Sequence, residues 1–241
     1  MTTGKRHGVA RTLSKLGLAS RTVAAGWVLD GRVALNGHLV RDPEAPVEAG
    51  DQLTVEGRPV APAERLYLML NKPRGLVTTA TDPQGRDTVY RCLDGAGLPW
   101  LAPVGRLDKA SEGLLLFSND SEWAARVTAA ESGPEKTYHV QVDTQPSPEV
   151  LARLTVGLDL DGERLAAKSV RLLRSGEKNA WLAIVLAEGR NRHIRRLLEA
   201  HDIAVLRLVR VAIGQLALGE LPRGQWRRLT GSEAAALATV L

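Results

Sequence analysis

Cysteine is almost missing from this 241-residue chain, where Cys92 stands alone. One thiol excludes an intrachain disulfide and a thiolate-held metal cluster, and it suits a reducing compartment. Aromatic residues are scarce as well: five Trp, three Tyr and one Phe. No run approaches the ~18 apolar residues of a membrane-spanning helix, and no apolar stretch near the start reads as a secretory leader. A cytoplasmic chain without membrane contact is expected. The sequence has no Gly-rich nucleotide loop, no His/Cys metal spacing and no lysine motif for a pyridoxal cofactor, so no cofactor and no metal are expected.

What is present is ordinary in amount and uneven in placement. Hydrophobic residues make up 44% and charged residues 24%, as in globular chains, and the length allows a small and a larger domain. The net charge is +5. Much of it lies early: Lys5, Arg6, Arg11, Lys15, Arg21, Arg32 and Arg41 face a single acid, Asp30. That concentration suits phosphate contact, and equally a solvated basic face.

In chain order, apolar residues recur at helical spacing between Val9 and Leu29. Ser20 suits the N-cap of a second helix over residues 21–29, which Gly31 stops. Residues 32–35 read as a strand, Asn36-Gly37 as a tight turn and residues 52–55 as another strand. Residues 57–64, with two prolines, read as a linker. Domains are therefore expected at 1–58 and 66–241, with 59–65 between them. Further strands are expected at 66–70, 76–79, 114–117, 136–142 and 181–186. Helices are expected at 89–93, 121–130 and 147–154, and from an Asn191 cap to His201. Ile194, Leu197 and Leu198 form the core face of the last one.

The stretch that organises the chain is 105–120, GRLDKASEGLLLFSND. An Arg and an Asp sit two apart in a Gly-bounded turn before a continuous apolar run, which puts both on a rigid sheet edge. Alone, Arg106 and Asp108 could be an ion pair closing the turn. The whole stretch resembles the bacterial pseudouridine synthase motif GRLD-x-x-[ST]-x-GLL-x-x-[ST]-N-D, and that resemblance assigns the catalytic role to Asp108. It also gives Arg106 the space vacated by a flipped-out uridine.

Other segments carry the same resemblance. Asn71-Lys72-Pro73-Arg74-Gly75 matches the family's first motif, which supports the active-site loop. Lys136-Thr137-Tyr138 matches its Lys-x-Tyr, whose Tyr packs on the target base. Residues 188–196, EGRNRHIRR, resemble the third motif, in which the Arg at the place of Arg195 pairs with the catalytic Asp; His193 stands where Gln is usual. LGLASR, GRVALNG and GDQLTVEG resemble an S4-type RNA-binding domain over residues 8–58.

The resemblance to the RsuA/RluB branch of bacterial ribosomal RNA pseudouridine synthases implies an α+β chain. A small N-terminal S4-type α/β RNA-binding domain would precede a larger catalytic domain, built on a mixed, mainly antiparallel sheet with flanking helices. It implies isomerisation of uridine to pseudouridine in ribosomal RNA, free or in a pre-ribosomal particle, by a monomer. Lys15, Arg21, Arg32, Lys72, Arg190, Arg192 and Arg196 are RNA-binding candidates, and Arg207, Arg210, Arg223, Arg227 and Arg228 would line the RNA approach. Large-subunit RNA is favoured, with small-subunit RNA the alternative. A non-catalytic ribosome-assembly factor would need none of Asp108, Tyr138 and Arg195. A glycosidase would need a second carboxylate across the bond, and these motifs supply none.

Overall fold

The computed structural model describes residues 6–130 and 132–239; Lys5, counted above, lies outside them. Two compact units divide the chain. One runs to Tyr67 and includes Ala96–Ala102 and Phe117–Ala124, and the other holds the remainder.

The first unit runs β1 (His7–Gly8), α1 (Val9–Lys15), α2 (Arg21–Leu29), β2 (Val33–Leu35), β3 (His38–Leu39), β4 (Pro46–Val47), β5 (Leu53–Val55) and β6 (Arg58–Pro59). The Ser20 hydroxyl accepts from Val23 N at 3.1 Å and so caps α2. Asn36 and Gly37 both take positive φ, 52° and 83°, and close the β2–β3 hairpin. Val9, Ala10, Leu13, Ala24 and Val28 from the helices meet Val33 and Leu53 from the strands in one core. Arg58–Pro59, expected to open a linker, instead pairs with β5 in the sheet order β3-β2-β5-β6. The turn before it puts Glu56 at φ 52° ahead of Gly57, a conformation that a glutamate does not advertise.

The remaining elements, which lie in the second unit except where β7, β8, β9 and α3 include residues of the first, are β7 (Tyr67–Lys72), β8 (Ala102–Val104), β9 (Glu112–Ser118), α3 (Ser121–Thr128), β10 (Lys136–Val142), α4 (Pro148–Val156), β11 (Leu158–Leu160), β12 (Glu163–Leu165), β13 (Ser169–Ser175), β14 (Ala180–Leu186), α5 (His193–Glu199), β15 (Val205–Ile213), β16 (Leu216–Ala217), β17 (Trp226–Arg228) and α6 (Gly231–Ala238). Its main sheet has the order β13-β14-β10-β15-β9-β7-β17. β15 and β9 pair in parallel at its centre, while β10 pairs antiparallel with β14 and β15. The chain is thus α+β with a mixed, mainly antiparallel sheet. Every residue of β9 is buried, as its unbroken apolar run requires of a central strand. β10 alternates instead: Tyr138, Val140 and Val142 are buried, and the residues between them half-exposed.

Two local expectations fail. Residues 76–79 form no strand and contribute only an isolated bridge, Val77 to Thr88. α5 begins at His193 rather than after Asn191. Arg192 adopts a left-handed φ of 49° and takes the N-cap place without a side-chain cap bond. Among the described residues no helix is long and apolar enough to cross a membrane.

Gly113 makes the central parallel register possible. Its φ is +100°, and a Cβ there would lie 2.2 Å from the Arg210 carbonyl oxygen and 2.8 Å from Arg210 N. Neither backbone atom can yield without breaking the pairing. Gly113→Ala is expected to cost about 3 kcal/mol and to lower the Tm by roughly 10 °C in differential scanning calorimetry. A loss under ~2 °C would show that β9 and β15 tolerate a different spacing.

Candidate active site

The loop between β8 and β9 carries Arg106 and Asp108, and its backbone is held at several points. Lys72 Nζ donates to the carbonyls of Ser111 (2.8 Å), Asp108 (3.2 Å) and Pro73 (3.1 Å). Thr78 Oγ1 donates to Leu107 O at 2.7 Å and accepts from Leu107 N at 3.4 Å. Gly75 N donates to Lys109 O at 2.8 Å, and Ser111 N to Asp108 O at 2.9 Å. The end of β7 and the segment that follows it, Lys72 to Thr78, therefore act as a backbone clamp on Asp108 and the residues flanking it.

Above the loop opens a cavity of about 360 Å³. Asp108, Tyr138 and Arg195, expected together from separate motifs, all line it. Tyr138 is 8% exposed and projects from the buried side of β10. Arg195, on α5, donates to the carbonyls of Val205 and Ala110 at 3.4 Å each. Burial holds its guanidinium below the usual range, Arg192 and Arg74 add repulsion, and Asp108 pulls the other way. Arg195 and Asp108 share the cavity without an ion pair between them in this state.

The electrostatics of the lining are lopsided. Arg106, Lys136, Arg190, Arg192, Arg195 and Arg210 surround one carboxylate, Asp108. Such a cavity concentrates polyanions and leaves a single acid available for chemistry. His193, 3% exposed, also borders it. Burial lowers its pKa, with the Glu188 charge and the Ala166 backbone acting in the opposite sense.

Residues 66–200 match the family described as RNA pseudouridylate synthase, and residues 9–53 match the S4 domain. The chain belongs to the RNA pseudouridylate synthase family. It is 36% identical to an uncharacterized RNA pseudouridine synthase of Aquifex aeolicus, over 95% of this chain and 92% of the relative. Against the ribosomal large subunit pseudouridine synthase B of Bacillus subtilis it is 34% identical, over 92% of each chain. A solved pseudouridylate synthase superimposes with a TM-score of 0.66 at 30% identity, covering 97% of this chain and all of that one.

In this pseudouridine synthase the other candidate residues divide by surroundings. Arg106 is exposed at the cavity edge. Arg190 also lines the cavity, with its Nε held by Glu188 at 2.7 Å, and Arg192 lines it from the left-handed turn before α5. Arg196 turns away to Glu163 and Asp161 of the β11–β12 hairpin, so it does not line the cavity. Lys72, expected to meet RNA, is 0% exposed and spends its ammonium on backbone carbonyls; it cannot reach a phosphate.

In the first unit Lys15 pairs with Glu122, Arg21 with Glu44 and Arg32 with Glu56. Arg32 also lies over the Trp27 ring. Of the C-terminal arginines, only Arg210 enters the cavity; Arg207 and Arg223 go to Glu112, and Arg227 to Glu233.

Thr78 was not singled out from the sequence, yet its hydroxyl ties both backbone groups of Leu107, next to Asp108. Thr78→Val keeps the shape and removes both bonds. The expected result is a roughly tenfold lower kcat from a loosened loop, with RNA affinity kept, since small misplacements of a reacting group are costly. Single-turnover rates beside a binding isotherm would check it.

Proposed function

We propose that this synthase isomerises a uridine to pseudouridine in large-subunit ribosomal RNA, with Asp108 as its reacting carboxylate. The observation that carries the reading is the cavity in which, among the described residues, Asp108 is the one acid among six cations, beside Tyr138. The chemistry breaks the N-glycosidic bond, turns the freed uracil and rejoins it through carbon, so it is redox-neutral and calls for one carboxylate at the sugar, either as nucleophile or as the group that triggers elimination. Tyr138 stacks on the uracil, and Arg195 aligns Asp108 once substrate fills the cavity. The target must leave its stack, at a cost of a few kcal/mol, and Arg106 takes the vacated space.

RNA held by the S4 domain offsets that cost. Its exposed ion pairs contribute little to stability, so Lys15, Arg21 and Arg32 exchange their carboxylates for phosphates readily. The enzyme works as a monomer in the cytoplasm, on rRNA or an assembly particle. The large-subunit assignment leans on the relatives named as ribosomal large subunit pseudouridine synthase B in Bacillus subtilis and Pseudomonas aeruginosa. Small-subunit rRNA is the second reading.

The test is pseudouridine mapping by carbodiimide-dependent primer extension on rRNA from cells with and without the gene. Loss of one large-subunit signal is expected. Loss of a small-subunit signal instead would move the substrate and keep the chemistry, and an unchanged map would overturn the proposal.

A further inference from the structure

Arg210 is the most deeply placed cation of the cavity, 5% exposed. It lies on β15 opposite Gly113 in the parallel register, and its Nε donates to the Leu114 carbonyl at 2.7 Å. That bond fixes the plane of the guanidinium. Nη2 of the same group is buried and has no hydrogen-bond partner. A buried donor on a charged group left unpaired costs more than a neutral one, so its retention calls for an explanation.

Lys136, at the start of β10, lines the same cavity and is half-buried. Burial lowers its pKa, and the nearby Arg210 charge lowers it further, with no carboxylate acting in the opposite sense. Glu112, across from Val209 in the register, is already taken by Arg207 at 2.7 Å and Arg223 at 3.4 Å. Two like charges thus share a partly desolvated space, and among the described residues neither is held in an ion pair, Asp108 elsewhere in the lining included.

We infer that Lys136 and Arg210 form a phosphate subsite inside the cavity, which takes a non-bridging oxygen of the RNA backbone beside the reacting nucleotide. This rests on reading the cavity as the uridine-isomerising site. A uracil carbonyl could fill the open bond of Nη2, but a neutral acceptor would leave the repulsion between the two cations in place. An anionic oxygen satisfies both, and its bonds to ionised donors are the stronger kind. The subsite would seat the flipped nucleotide by its backbone, leaving the base to Tyr138 and the sugar to Asp108.

The experiment measures binding and turnover of an in vitro large-subunit rRNA transcript across a salt series. The proteins are wild type, Lys136→Met, Lys136→Gln and Lys136→Arg. Both neutral variants are expected to raise Kd and KM about tenfold, and to lower the slope of log Kobs against log salt by about one phosphate contact, ~0.7–0.9. Lys136→Arg should restore both. Weaker binding with the full wild-type slope would place a neutral group in the subsite and overturn the phosphate assignment. So would wild-type affinity in both neutral variants. Absence of pseudouridine with the wild-type enzyme on rRNA transcripts and on pre-ribosomal particles alike would overturn the underlying reading, and this one with it.

Discussion

Asp108→Asn is expected to abolish pseudouridine formation while leaving the fold and RNA binding in place. The exchange preserves shape, and the loop does not depend on the side chain that is altered. Its anchors are the backbone carbonyls of Leu107, Asp108, Lys109 and Ser111, held by Thr78, Lys72 and Gly75. The asparagine cannot attack the sugar or take charge from it, and among the described residues no second acid lines the cavity to substitute. The drop in single-turnover rate, followed as tritium released from 5-tritiated uridine in the transcript, should be about 10⁴-fold or more, the scale on which losing a reacting group falls. Removing the one negative charge among six cations should leave RNA affinity equal or higher. Residual activity above ~1% would deny Asp108 the role.

What the residues revealed in advance, and what they hid, follows from the range of the forces involved. β9 was legible because four consecutive apolar residues have few places to go but a central strand, and Leu114–Phe117 are all fully buried. The α2 cap at Ser20 and the α4 cap at Ser147 are local bonds, readable from neighbours in sequence. α6 carries an equally local signal, the capping box of Thr230 and Glu233.

Lys72 illustrates the other kind. Nothing within several residues of it says that its three donors will meet carbonyls at Asp108 and Ser111, more than thirty positions on. A lysine's chemistry is the same whether it faces a phosphate or caps a buried loop, so only the tertiary fold decides. Arg196 was misplaced for the same reason: its partners, Glu163 and Asp161, come from a hairpin whose position on α5 is not written in the helix. Asp108, Tyr138 and Arg195 were brought together in advance by resemblance to other sequences, because no periodicity in this one links them.

Lys72→Met should then be the most damaging change outside the cavity lining. Methionine fills much of the same volume but donates no hydrogen bond, so the carbonyls of Pro73, Asp108 and Ser111 lose a buried donor together. Each unmet acceptor costs ~1 kcal/mol or more, and relief from burying the charged ammonium offsets part of that, so the net loss in chemical denaturation should stay under ~3 kcal/mol. The freed loop should also lower kcat by roughly 100-fold, the penalty for a reacting group displaced by about 1 Å.

The ammonium itself gives a sharper test. Burial pushes the Lys72 pKa from 10.5 down to about 8, against the opposing pull of Asp108, Cys92 and Glu112. Between pH 8 and 10.5 the unfolded chain keeps this proton and the folded chain sheds it, so the contribution of this group to stability rises with pH across that window. Activity should move the other way. A neutral amine has two N–H donors for three carbonyls, and the clamp on Asp108 loosens as the proton leaves. The rate should therefore fall with an apparent pKa near 8, while thermal stability does not fall with it. In Lys72→Met the same basic limb should vanish from an already reduced rate. A wild-type profile flat from pH 7 to 10, or a basic limb that persists in the methionine variant, would remove Lys72 from the control of the loop.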